Sequence, residues 1–143
     1  MGTRALTVVK DKDDKEIICM YSQCDGYISG HGAELFEFLK DRTVLNGIPL
    51  RPAPAKSANG IYCLAAQIVA YFKEGLGGIY LYPPPSENVE QSYNYTVYIK
   101  EGKICLSANV GGKSGSILFD GIVDAVTEEQ FLKCEDDDEE EDD

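Results

Sequence analysis

The chain contains a single histidine, His31, in 143 residues. It has no Gly-x-Ser-x-Gly elbow and no dinucleotide-binding fingerprint, so neither an acyl-transfer triad nor a nicotinamide site can be assembled from motifs. Paired acids could act without histidine, but spacing alone singles out no pair. The five cysteines (Cys19, Cys24, Cys63, Cys105 and Cys134) are odd in number and scattered, with no Cys-x-x-Cys pair. That argues against a zinc ribbon or a thioredoxin-like centre. No run of about eighteen apolar residues is present, so no membrane span is expected. Residues 1–10 lack the apolar stretch of a signal peptide, and the expected location is cytoplasmic. No metal and no cofactor are expected. A carboxylate-rich metal site from Asp25, His31 and Glu34 is not signalled by spacing.

Positive charge is also scarce. The net charge is −12, yet residues 135–143 are nine consecutive acids. Without them, 16 acidic and 13 basic residues leave a body of only −3. Such a run repels itself and can bury nothing, so the division is a single domain over 1–134 and a disordered acidic tail over 135–143. Solubility is the plain role for the tail; competition for a partner's basic surface is the sharper one. The near-neutral body lacks the basic footprint of direct nucleic-acid binding.

Hydrophobic residues make up 43% of the chain, enough for a core without disulfide or metal staples. Residues 4–10 and 16–22 read as strands joined by a polar turn. A helix follows from Ala33, with Leu35, Phe36 and Leu39 on one stripe and Phe38 off it. Three prolines exclude regular helix from the 41–59 connector. The longest helix is expected over 60–73, with Asn59 as N-cap and Gly75 as its stop. Its stripe is Ile61, Leu64, Ala65, Ile68 and Phe72, and its small side (Cys63, Ala66, Gln67, Ala70) suits an inter-layer or subunit contact. Strands then recur at 79–83, 93–100, 103–109 and 116–120, and Thr127 with Gln130 caps a terminal helix. Strands that come in runs point to an α+β fold: an antiparallel or mixed sheet of about six strands, two main helices on one face, and a short C-terminal helix.

The stretch richest in chemistry is Asp25-Gly-Tyr-Ile-Ser-Gly-His-Gly32. Glycines before a helix can aim backbone N–H groups at an anion. On that reading Ser29, Gly30, His31 and Gly32 cradle a negative group, Ser29 doubles as N-cap, and Asp25 and Tyr27 orient the rest of the ligand. The plain reading is that the glycines only permit a tight turn. Cys24 beside this loop raises a thiol nucleophile with His31 as base, but no orienting third group is evident. Gly111-Gly-Lys-Ser-Gly115 is not a P-loop, because Ser107 stands where the first glycine belongs. Lys113 could still close over an anion; Arg4 and Arg51 are anion contacts by residue type alone. Tyr80 with Tyr82, and Tyr93 with Tyr95, each fall on one face of a strand. Such rows stack nucleobases, fill a protein interface, or simply pack across strands.

Met1-Gly-Thr-Arg-Ala-Leu-Thr7, Cys24–Leu35 and Gly77-Gly-Ile-Tyr-Leu-Tyr-Pro83 resemble small bacteriophage and bacterial proteins without an established activity. No catalytic residue is carried over. The resemblance implies a setting: small phage accessory proteins often counter host defences by sequestering a nucleotide signal or blocking a defence protein. Two readings follow. One is a non-catalytic, homo-oligomeric binding protein for an anionic small molecule such as a nucleotide. The other is an inhibitor that meets a host protein through its tyrosine-rich sheet and acidic tail. A small hydrolase using Asp25, His31 and Glu34 ranks third.

Overall fold

The computed structural model describes residues 2–47, 56–111 and 115–141. The three connector prolines, Arg51 and Lys113 lie outside the described residues. The chain builds a six-stranded mixed sheet with strands β1 (Ala5–Lys10), β2 (Glu16–Ser22), β5 (Ile79–Tyr82), β6 (Tyr93–Lys100), β7 (Lys103–Val110) and β8 (Ile117–Ile122) in the order β5-β2-β1-β6-β7-β8. Within this sheet, among the described residues, β1 and β6 pair in parallel and the other neighbours are antiparallel. Helices α1 (Ala33–Leu39), α2 (Gly60–Phe72) and α3 (Glu128–Glu141) complete the α+β fold.

β1 lies between two neighbours and reads as a continuous apolar run because both its faces are covered. Ala5 and Val9 join the main core under the helices, while Leu6 and Val8 form a small second cluster with Cys19, Tyr21 and Val89. The main core continues through Tyr95 and Val97 of β6 and through Ile104, Leu106 and Ala108 of β7. The alternate residues of these strands, Asn94, Thr96, Ser107 and Asn109, fall on the opposite face by the period of two. The sheet therefore has a helix-covered inner face and an outer face partly roofed by the 83–91 segment.

α1 buries Leu35, Phe36, Phe38 and Leu39. Phe38, off the main stripe, packs on Tyr71 of α2 at 4.7 Å and carries the Arg42 guanidinium over its ring at 3.9 Å, so α1 does pack on two sides. α2 buries Leu64, Ala65 and Ile68, and turns Ala66 and Ala70 outward. In α3, Phe131 stacks on Phe36 at 4.8 Å and meets Phe119 edge-on at 5.2 Å. The Thr127 hydroxyl accepts from the Gln130 N–H at 3.1 Å, and the Gln130 side chain accepts from the Thr127 N–H at 2.8 Å. α3 carries helical backbone past residue 134 into the acidic run.

The described ends of the connector pair with one another: β3 (Thr43–Leu45) and β4 (Ser57–Asn59) run in parallel. Asn59 stands at the N-cap position of α2, as expected, but its side chain makes no cap bond and accepts instead from the Gly47 N–H at 3.1 Å. α2 ends at Phe72, one residue earlier than expected, with Lys73 in an extended conformation and Gly75, Gly77 and Gly78 at positive φ beyond it.

Candidate functional site

The Asp25–Gly32 loop is held to the inner face of the sheet. The Gly26 N–H donates to the Thr3 carbonyl at 2.8 Å, and the Gly26 carbonyl accepts from the buried Tyr95 hydroxyl at 2.7 Å. Residues Ile28–Gly32 form a wide π-helical turn that runs directly into α1. Helical backbone thus begins before Ala33, so Ser29 lies inside the turn, exposed, and makes no cap bond. That corrects its expected role as N-cap.

His31 is 5% exposed. Its Nε2 lies 2.7 Å from the Thr7 hydroxyl and its Nδ1 3.5 Å from Ser22, and both of those residues are buried. Phe72 and Tyr95 pack on the ring at 4.5 and 5.4 Å. Burial pushes its pKa down to about 4, so the ring is neutral at physiological pH. The two glycines serve close packing. A Cβ on Gly32 would lie 2.8 Å from the Tyr95 hydroxyl oxygen, and one on Gly30 would clash with the Asp25 carbonyl oxygen. Neither position has room for a side chain.

Ser22, Cys24, Asp25, Tyr27, Gly30, His31, Glu34 and Glu74 belong to one cleft of about 410 Å³. Four of the expected residues meet there: Asp25, Tyr27, Gly30 and His31. Ser29 and Gly32 are not among its lining residues. Among the described residues the lining carries three carboxylates (Asp25, Glu34, Glu74) and no lysine or arginine. Asp25 raises the pKa of the exposed Tyr27 phenol, chiefly through its charge and the 3.3 Å bond between them. This is a poor seat for an anion. Cys24 is exposed beside it, but the polar partners of His31 are Thr7 and Ser22. Among the described residues no group of three or more His, Cys, Asp or Glu side chains could hold a metal.

Arg4 lies elsewhere and braces the 83–91 segment. It donates to the Val89 carbonyl at 3.5 Å and sits 3.7 Å from the Glu90 carboxylate. That segment walls a second cleft, of about 490 Å³, on the outer face of the sheet. The wall is pinned at Ser86, whose N–H and hydroxyl both donate to the Glu16 carboxylate at 2.6 and 2.9 Å. The floor includes Val8, Asn94, Thr96 and Asn109. Asn94 and Asn109 are direct cross-strand partners. Asparagine is disfavoured in strands, and here two of them stand opposite one another on interior strands. That departure from strand chemistry, legible at Tyr93-Asn94-Tyr95 and Ala108-Asn109, is the signal that sequence reasoning missed.

The tyrosine rows separate onto opposite faces. Tyr93 and Tyr95 lie on the inner face, where Tyr95 is fully buried; burial holds its hydroxyl well above the ordinary pKa. Tyr80 and Tyr82 lie on the outer side of edge strand β5, with ring centroids 6.2 and 5.2 Å from Tyr21.

The fold defines a small α+β protein with a mixed sheet open on one side. Comparison of the chain with family models, with curated proteins and with solved structures finds no match.

Proposed function

We propose that this chain is a non-catalytic binding protein that holds a small polar molecule in the outer-face groove. The observation that carries this reading is the opposed Asn94–Asn109 pair on a groove floor, walled by a braced segment. Folding alone would favour β-branched or aromatic residues there. A cleft of about 490 Å³ falls in the range of small-molecule sites. A nucleotide-like signal molecule fits the groove through its hydrogen-bonding part. Among the described residues Lys10 is the one lining cation, against Glu16 and Glu87, so negative charge contributes little to the affinity. In the setting that the resemblance implies, holding such a molecule would withdraw it from host signalling.

Calorimetry with a panel of ribonucleosides, nucleoside monophosphates, monosaccharides and amino-acid amides tests this. At least one class should bind the wild type, lose affinity in Asn94→Thr and keep it in Asp25→Asn. No binding by any class, or binding that survives Asn94→Thr and fails in Asp25→Asn, contradicts it.

A second reading is favoured by a different observation. Among the described residues no strand pairs with the outer edge of β5, where Tyr80, Leu81 and Tyr82 are exposed at 44%, 56% and 37%. Aromatic residues on a free edge suit strand addition by a partner protein, and the acidic tail would select a basic one. Crosslinking to host proteins should then be lost in Tyr80→Ser/Tyr82→Ser and weakened by deleting residues 135–143. Equal crosslinking by all three forms counts against it.

A further inference from the structure

Resting on the groove reading above, the geometry points to a nucleobase as the part of the ligand that the groove recognises, read along one edge by Asn94 and Asn109. The direction of each amide is set by the backbone. The Val89 N–H donates to Gln91 Oε1 at 2.9 Å, which turns the Gln91 amino group toward Asn94. That amino group donates to Asn94 Oδ1 at 2.8 Å. With its carbonyl engaged, Asn94 has its Nδ2 protons left to donate. Asn109 is set the opposite way: its Nδ2 donates to the Val110 carbonyl at 3.2 Å, which leaves lone pairs on Oδ1. An amide carries two donor protons and two acceptor lone pairs, so the unengaged end of each side chain, the Asn94 amino group and the Asn109 carbonyl, keeps its full capacity for a ligand.

The two residues are direct partners across β6 and β7, and opposed Cβ atoms in such pairs lie about 5 Å apart. The groove therefore presents a donor beside an acceptor, both held before any ligand arrives. The complementary group is planar and shows an acceptor next to an N–H, as the pairing edge of every common nucleobase does. Val8, also on the floor, offers an apolar surface to the ring. A sugar hydroxyl both donates and accepts and needs no fixed direction. Fixing both amides is informative only for a ligand whose own donor and acceptor are fixed. Through Gln91 the relay ties the Asn94 amide to the 83–91 segment that walls the groove.

Binding of uridine, 3-methyluridine and ribose is measured by calorimetry on the wild type, Asn94→Asp and Asn109→Asp. In 3-methyluridine a methyl group replaces the N–H of the pairing edge, so the donor is lost and bulk is added at that point. The Asn94→Asp and Asn109→Asp pair separates hydrogen bonding from the added bulk. The expected result is uridine binding, with 3-methyluridine at least about 10-fold weaker, the loss of one hydrogen bond to a fitted site, and no ribose binding. Asn94→Asp removes the donor and should weaken uridine by at least about 10-fold, whereas Asn109→Asp keeps an acceptor and should weaken it only a few-fold. Both variants add the same charge, so their difference reports hydrogen-bond direction. Equal binding of uridine and 3-methyluridine, or equal losses in the two variants, overturns the inference. If monosaccharides or amino-acid amides bind the groove and uridine does not, the inference fails while the binding function stands. If nothing binds, both fall.

Discussion

The two faces of the sheet treat polar side chains in opposite ways. On the inner face Thr7 and Ser22 each bond to His31, one at either ring nitrogen, under Phe72 and Tyr95. Their capacity is spent within the fold, and burial keeps the histidine neutral. On the outer face Asn94 and Asn109 are each bonded through one end only. A buried polar group must find partners within the protein. A group on an open face can keep part of its capacity for a ligand. The residue type that stands out in a sequence, a lone histidine among glycines, is here the structural one. The ordinary residue type, asparagine, stands where folding has least use for it.

Breaking the inner face should cost stability. The largest effect is expected for Tyr95→Ala, which removes a fully buried ring and the bond that ties Gly26 to the sheet. The expected loss is about 4 kcal/mol, measured by denaturant unfolding. Next comes the pH dependence of His31. Its folded pKa of about 4 lies below the ordinary 6.5. Between those values the unfolded chain binds a proton that the folded chain excludes. The associated stability is complete above about pH 6.5 and is lost as pH falls toward 4, on the order of 3 kcal/mol in all. Thermal unfolding from pH 7.5 to 4.5 should show the midpoint falling with pH more steeply in the wild type than in His31→Gln. Parallel curves would mean that the ring is not sealed. Gly32→Ala pushes a methyl against the Tyr95 hydroxyl and should cost about 2 kcal/mol by overpacking, with ligand affinity unchanged in the molecules that remain folded.

The outer face should answer in the reverse sense. Asn94→Thr is expected to change stability by less than about 0.5 kcal/mol, with a gain more natural than a loss because threonine suits a strand. Ligand affinity should nevertheless fall. Coincident loss of stability and affinity would place Asn94 with the inner-face residues and erase the distinction between the faces.

Much of this architecture is readable in the residues. β-Branched runs mark β1 and β2, the 3.6-residue stripe marks α1 and α2, and Thr127 with Gln130 marks the start of α3. These signals are local. The faces are not: whether Tyr80 and Tyr95 share a surface depends on β1 pairing in parallel with β6, more than eighty residues away, and on which side the helices take. The same non-local choice sets Gly32 against Tyr95 of β6, whereas Gly30 is crowded locally by Asp25 and Tyr27. Ser29 misleads for a related reason. A good capping residue beside a helix is a cap only if the helix starts there, and the π-helical turn begins earlier. Asn94 and Asn109 look unremarkable apart and acquire meaning only from a register that pairs them.

The most direct test is the ¹⁵N NMR spectrum of the protein recorded with each member of the small-molecule panel. The side-chain Nδ2 resonances of Asn94 and the backbone signals of Thr96 and Asn109 should shift and saturate with at least one member, while those of Gly30, His31 and Gly32 stay in place. Saturable shifts centred on residues 25–34, with the groove silent, would contradict the assignment of the two faces.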